Sequence, residues 1–206
     1  MLEEMTYPIN EIFRTIQCEG FYAGRTAVFI RFSGCNKTCT WCDTDHTEKL
    51  NLTPSEIIEH MTVVEWNEDD LVVLTGGEPT IHALDPVCKA LINVNGGTEI
   101  AIETNGTNPN QLERLKKEQL LDWITISPKD PKDVSYIWRQ IADEVKVVLD
   151  PNNPPSRYIP FIVKLFDDHR CYIQPCSQDY APAVKYVLDH PQWRLSVQIQ
   201  KIINVS

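Results

Sequence analysis

The chain has 206 residues, 42% hydrophobic and 23% charged, the balance of a globular protein that buries a core without disulfide or metal staples, and one domain is expected. Nineteen Lys and Arg against 29 Asp and Glu give a formal charge of −10, which leaves no basic stripe to follow a phosphate backbone, argues against nucleic-acid binding and favours a small-molecule substrate. Apolar runs such as Leu71–Thr75 are too short to cross a membrane and MLEEMTYPIN has neither region of an export signal, so a cytoplasmic protein is expected, whose seven cysteines serve as ligands or thiols rather than disulfides.

In chain order, short runs rich in β-branched residues alternate with helical patterns. The first predicted strand, Ala27–Ser33, runs into SGCNKTCTWCDT (Ser33–Thr44), and a helix over Pro54–Thr62, capped by Thr53, follows. Leu71–Thr75 is the next strand and ends in GGEP (Gly76–Pro79), before a helix over Asp85–Val94. Glu99–Glu103 leads into ETNG (Glu103–Gly106) and a helix over Asn110–Lys117; Trp123–Ser127 leads into SPK (Ser127–Lys129) and a helix over Tyr136–Ala142. After the strand Val145–Leu149 comes a linker-like piece, DPNNPPSR (Asp150–Arg157). A strand over Cys171–Gln174 then runs into QPCSQD (Gln174–Asp179), followed by a helix over Ala181–Asp189 and a last strand over Leu195–Gln198. Strands that read as almost continuous apolar runs are buried on both faces, which predicts a parallel sheet covered by helices. The fold class is α/β, as a barrel, a partial barrel or a doubly wound sheet. In each of these the carboxyl ends of the strands form the rim where ligands bind, and the cysteine loop, GGEP, ETNG, SPK and QPCSQD all fall there.

Cys35, Cys39 and Cys42 are spaced C-x3-C-x2-C. Structural zinc wants four ligands, usually as two paired knuckles, and no second pair has suitable spacing. An iron–sulfur cubane held by three thiolates keeps one iron unligated by protein, and an open metal position marks a catalytic site. A fourth thiolate from Cys18, Cys88, Cys171 or Cys176 would instead close the site as zinc or as an electron-transfer cluster, so spacing alone leaves both readings standing. Gly76 and Gly77 let main chain approach a ligand, or make a plain tight turn. Arg31 is the only charge in AVFIRFS, and a buried guanidinium needs an anion, a ligand carboxylate or Glu19. His46, His60, His82, His169 and His190 match no metal-binding spacing and read as structural or exposed.

The cysteine spacing resembles that of the radical S-adenosylmethionine superfamily. Within it, YPINEIF-x-TIQ-x-EG (Tyr7–Gly20), FIR-x-SGC-x3-C-x-WCDT (Phe29–Thr44), LTGGEP, ETNG, ISPK and QP-x-SQ-D, in order across most of the chain, resemble the 7-carboxy-7-deazaguanine synthase family. The resemblance implies a modified partial (β/α) TIM-type barrel and a 4Fe–4S cluster on Cys35, Cys39 and Cys42, whose free iron is chelated by S-adenosylmethionine. It implies cleavage of the sulfonium to a 5′-deoxyadenosyl radical and ring contraction of 6-carboxy-5,6,7,8-tetrahydropterin to 7-carboxy-7-deazaguanine, with loss of ammonia, in 7-deazapurine (queuosine-type) biosynthesis. A homodimer, a flavodoxin- or ferredoxin-type reductant and Mg2+ at Thr44 come with it. By the same resemblance S-adenosylmethionine is held by Trp41, Cys42, Asp43, Gly77, Glu78, Glu103, Ser127, Pro128, Lys129, Gln174, Pro175, Cys176 and Ser177. Glu103 serves the ribose hydroxyls. The pterin is held by Ile16, Gln17, Cys18, Arg31, Thr75, Gln200 and the carboxylate of the terminal Ser206, with Arg31 on the substrate carboxylate.

Three departures bear on substrate binding: the family's QGEG reads QCEG at Gln17–Gly20, its QTHK reads QIQK at Gln198–Lys201, and the last residues read INVS, so that the carboxylate the family uses is expected on Ser206. The rival within the superfamily is an activase that makes a glycyl radical on a partner enzyme. The rival from another class is a non-catalytic iron–sulfur carrier or sensor, which has no use for GGEP, ETNG or SPK.

Overall fold

The computed structural model describes residues 5–149, 159, 162, 170–176 and 179–205. Strand β1 (Tyr7–Ile16) pairs antiparallel with β2 (Thr26–Phe32) and with the short β3 (Leu50–Leu52). Onto β2 are added, all in parallel, β4 (Leu71–Gly76), β5 (Ile100–Thr104), β6 (Trp123–Ile126), β7 (Glu144–Leu149), β8 (Cys171–Pro175) and β9 (Trp193–Leu195). The described residues thus form one sheet ordered β3-β1-β2-β4-β5-β6-β7-β8-β9, which does not close on itself, the partial barrel expected. Its helices are α1 (Pro54–Val63), α2 (Asp85–Asn95), α3 (Pro109–Lys117), α4 (Trp138–Ile141), α5 (Ala181–Asp189) and the single turn α6 (Gln200–Ile203). Helix α1 starts where the sequence says it should, because Thr53 and Glu56 cap each other's main-chain N–H groups.

Successive side chains of a strand point to opposite faces, and that period sorts this sheet. Val28, Ile30, Phe32, Val72, Leu74, Ile100, Ile102, Ile124 and Ile126 face outwards and are fully buried against Ile57, Met61, Leu91, Leu112 and Leu115 of α1–α3. Burying each such side chain contributes about 1.5–3 kcal/mol. On the inner face Ala27, Phe29, Leu71, Val73, Ala101 and Trp123 form a small apolar floor with Tyr22 from the β1–β2 loop. One step nearer the carboxyl ends the inner face turns polar, since Glu11 pairs in register with Arg31, Arg31 with Thr75, Glu103 with Thr125, and Thr125 with Glu144.

Several elements differ from the sequence reading. Strands β1 and β3 were not expected: Pro8, Asn10, Glu11 and Arg14 interrupt the apolar pattern of β1, whose inner-facing polar groups line a cavity rather than solvent. The last strand is Trp193–Leu195, not Leu195–Gln198. Strand pairing with β8 ends at Leu195; Ser196 gives its N–H to the Ile173 carbonyl (2.9 Å) and its hydroxyl to Gln174 Oε1 (2.9 Å), and the chain then turns away. The helix expected over Tyr136–Ala142 shrinks to one turn seated on the buried Trp138 and Ile141. The linker-like piece, 150–157, lies outside the described residues.

Candidate functional site

The rim of the strands and the tail enclose a cavity of about 820 Å³. The cysteine loop forms one wall and is fixed at its root by main-chain hydrogen bonds. Gly34 N–H donates to the His46 carbonyl (3.0 Å), Gly77 N–H to the Phe32 carbonyl (3.1 Å) and Glu78 N–H to the Gly34 carbonyl (2.9 Å). A Cβ on Gly77 would overlap the Gly34 carbonyl and meet Cys35 Cβ, so the two-glycine turn is a close approach and not merely a turn. Farther out, Asn36 joins Asn105 and Thr107 (2.8 Å each), and Lys37 joins Asp133 (2.8 Å).

Cys35, Cys39 and Cys42 all line the cavity, and burial pushes the Cys35 and Cys39 thiols above the ordinary cysteine value. A single ion draws its ligands to within about 2.3 Å of one point. Among the described residues no three His, Cys, Asp or Glu side chains converge in that way. Three thiols facing one cavity suit a four-iron cluster, in which each thiolate binds a different iron. The candidates for a fourth thiolate divide. Cys88 is buried in the outer core, where burial pushes its thiol up to about 12, and Cys171 belongs to the core around β7–β9. Cys18 and Cys176 line the cavity.

The residues of the other sequence motifs meet in the same cavity. Trp41, Asp43, Thr44, Gly77, Glu103, Ser127, Lys129, Gln174, Pro175 and Cys176 line it, as do Ile16, Gln17, Cys18, Arg31, Thr75 and Gln200. Glu78 and Pro128 do not. The Glu78 carboxylate is buried under the rim, accepting from Thr80 N–H (3.0 Å) and Oγ1 (2.5 Å), Thr104 Oγ1 (2.6 Å) and Asn105 N–H (2.6 Å). It therefore ties the end of β4 to the end of β5. Ser177 and Ser206 lie outside the described residues, and so does His169. His82 Nε2 meets the Ser33 carbonyl (3.0 Å) beneath the cysteine loop, while His46 stands in the cavity wall.

Arg31 does not pair with Glu19. Its Nε donates to Glu11 across the β1–β2 register (2.7 Å) and its guanidinium lies 5.6 Å from the centre of the Phe13 ring. Among the described residues its Nη groups have no hydrogen-bonding partner. That leaves the planar fork for a carboxylate in the cavity. Glu19 belongs instead to Lys146, which it contacts directly. Burial alone would lower the Lys146 ammonium, but Glu103 and Glu19 hold it above the ordinary lysine value. Burial alone would raise Glu19, and Lys146 outweighs it, bringing the carboxyl down to about 2. Glu103 accepts from Gln17 Nε2 (3.2 Å) and Thr75 Oγ1 (3.4 Å) and stands 3.7 Å from Lys146 Nζ. Lys129 donates to Ser127 Oγ (2.7 Å), and burial, with the charge of Lys146, lowers it.

Lys146 and Glu144 are the residues that sequence reading missed. Both face inwards from β7, two positions apart, and the β1–β2 loop reaches across the hollow to them. Phe21 N–H donates to Glu144 Oε2 (2.8 Å), and Gly20, at φ +67°, has no room for a Cβ beside that carboxylate. Lys146 carried the signal that singled out Arg31, a charge in the midst of an apolar strand, VKVVL. The tail closes the cavity's open side: Gln198 and Gln200 donate to Glu19 Oε1 (3.2 and 2.9 Å), and Lys201 pairs with Asp43 of the cysteine loop (2.5 Å). Cys18 has an ordinary negative φ, so this side chain in place of the family's glycine costs no backbone strain; it narrows the cavity only.

Residues 29–162 match the profile of the Radical SAM superfamily. A 7-carboxy-7-deazaguanine synthase from Bacteroides thetaiotaomicron is 39% identical over 202 residues, covering 98% of this chain and 100% of the relative. The enzyme of the same name from Caulobacter vibrioides is 37% identical over 225 residues, with 98% and 100% covered. Among solved structures, that of QueE from Escherichia coli superposes with a TM-score of 0.71 at 27% identity, covering 94% of each chain.

Proposed function

The chain belongs to the radical S-adenosylmethionine superfamily and, within it, to the 7-carboxy-7-deazaguanine synthase family, and we propose that the cavity described above is where it binds its cofactors and contracts the pterin ring. It is a radical S-adenosylmethionine lyase that converts 6-carboxy-5,6,7,8-tetrahydropterin to 7-carboxy-7-deazaguanine with release of ammonia, using a 4Fe–4S cluster. When bound, cluster and S-adenosylmethionine together supply a 5′-deoxyadenosyl radical that takes a hydrogen atom from the substrate.

The protein's own contribution is to hold and orient. Cys35, Cys39 and Cys42 hold the cluster. Trp41 to Asp43, Gly77, Glu103, Ser127, Lys129 and Gln174 to Cys176 seat S-adenosylmethionine, with Glu103 at the ribose hydroxyls; Glu78 acts from beneath, through the rim turns that it ties together, and Pro128 only shapes the turn between Ser127 and Lys129. The pterin lies against Ile16, Gln17, Cys18, Thr75 and Gln200, and the Arg31 fork takes its carboxylate, which turns C6 towards the cofactor. Thr44, in the cavity wall, would offer its hydroxyl to Mg2+, a hard cation that takes oxygen donors and would orient the substrate there. The enzyme works in the cytoplasm as a single-domain homodimer reduced by a flavodoxin- or ferredoxin-type protein. The observation that carries this reading is that three thiols and an arginine with an open fork face the same cavity. The test is anaerobic incubation of the reconstituted protein with carboxytetrahydropterin, S-adenosylmethionine and a reductant. A product that has lost one nitrogen as ammonia is expected; cleavage of S-adenosylmethionine with the pterin unchanged would refute the reading.

A further inference from the structure

We propose that Lys146 is a positioning residue of this reaction, acting through Glu19 to fix the Gln200 carboxamide at the substrate end of the cavity; the inference rests on the reading of the cavity given above. Lys146 touches two carboxylates, and they depend on it unequally. Glu103 also accepts from Gln17 and Thr75, and its distance to Nζ is 3.7 Å. Glu19 is in direct contact with Nζ and has no other cationic partner among the described residues. Taking Lys146 away would leave Glu19 as an uncompensated buried charge, and such a group takes up a proton.

The proton would matter because of what Glu19 holds. Its Oε1 accepts from Gln198 Nε2 and from Gln200 Nε2. An ionised carboxylate can only accept, so Gln200 must turn its NH2 group towards Glu19. Its Oε1 is thereby turned away from Glu19, buried and without a hydrogen-bonding partner among the described residues, on a residue that lines the cavity. A buried acceptor left in this state calls for a donor from the ligand, and the amino and ring N–H edge of a pterin is one. A protonated Glu19 could donate as well as accept. The amide would then be free to flip and to meet the N–H edge with its own NH2, donor against donor. The charge on Lys146 thus reaches the substrate through two intervening side chains without touching it.

The test uses the anaerobically reconstituted holoenzyme. Lys146→Met is expected to raise the pterin KM about tenfold or more while the dissociation constant of S-adenosylmethionine stays within about threefold, since Glu103 keeps two neutral donors. Iron content should not change. Lys146→Arg, which keeps the charge, should recover most of the loss. Because a buried unpaired carboxylate can prevent folding, Lys146→Met/Glu19→Gln carries the test independently. It removes both charges and should recover thermal stability but not the pterin KM, because a glutamine at this position no longer dictates which way Gln200 faces. A wild-type KM in either variant would overturn the proposal, and so would equal losses of pterin and S-adenosylmethionine affinity. Wild-type enzyme that leaves the pterin untouched would instead overturn the underlying reading of the cavity.

Discussion

Replacing Gly77 by Ala is expected to strip the cluster without unfolding the protein. The added methyl would overlap the Gly34 carbonyl and press on Cys35 Cβ, and neither neighbour is the far end of a pliable side chain. Overpacking of this kind costs about 1–3 kcal/mol. Relieving it by displacing Gly34 breaks the 2.9 Å hydrogen bond from Glu78 N–H, worth about 1 kcal/mol, with about 1–3 kcal/mol more if the buried amide is left unmet. The total, about 3–7 kcal/mol, is comparable with the stability of a whole domain. The cysteine loop is held at its root by contacts to neighbouring turns rather than by a core of its own, so it moves before the sheet does. Iron per chain after anaerobic reconstitution should fall from about four to below one, with turnover lost and the thermal midpoint lowered only modestly. Cys88→Ala is the control, since Cys88 is buried in the outer core away from the cavity; it should cost about 1–2 kcal/mol and keep its iron. A Gly77→Ala protein with full iron and turnover would refute the close-approach argument.

Cys35→Ala, Cys39→Ala and Cys42→Ala should each abolish cluster and turnover while Cys171→Ala keeps both; iron and sulfide analysis decides, and loss of the cluster from Cys171→Ala would sink the three-thiolate model. Arg31→Lys keeps a charge but loses the fork and the face over Phe13, and should weaken pterin binding about tenfold or more with S-adenosylmethionine binding unchanged. Equal loss of both affinities would mark Arg31 as structural. Burial raises the Glu144 carboxyl from the ordinary 4.5 to about 7, so between those pH values the folded protein keeps a proton that the unfolded chain has released. The stability contributed by this group is complete below about pH 4.5 and lost as pH rises through 7. Glu144→Gln should remove that slope and gain up to about 3 kcal/mol on wild type at pH 8, read from denaturant midpoints across the pH range; an unchanged slope would refute it.

The strand–helix alternation was legible because its carriers, such as Leu71–Leu74 and Ile100–Ile102, are apolar on both faces. The rim motifs were legible because they interrupt that pattern at strand ends. What escaped is polar chemistry inside the hollow. Strand β1 places Asn10, Glu11 and Thr15 against the cavity, so the alternation that marks a half-buried strand is missing from its sequence. Lys146 bore the same mark as Arg31, a charge within an apolar strand, but the carboxylates that answer it, Glu19 and Glu103, come from distant segments that only the fold brings together. Arg31 showed that it needed an anion, a ligand carboxylate or Glu19, but Glu11, its partner across β1–β2, was hidden by the unrecognised strand. The tail was read as a strand because Leu195 and Val197 alternate with polar residues; in the structure those polar residues hold Gln174 and Glu19.

The claim on which everything else depends is that the cavity delivers the cofactor-derived radical to one carbon of a carboxypterin held by Arg31. Turnover of substrate deuterated at C6, with mass analysis of both products, tests it most directly. Because loss of ammonia is redox-neutral, the abstracted hydrogen must be returned, and deuterium should appear at the 5′ carbon of recovered S-adenosylmethionine and of any 5′-deoxyadenosine as 7-carboxy-7-deazaguanine forms. Conversion without deuterium transfer, or deoxyadenosine formed with no change in the pterin, would contradict it.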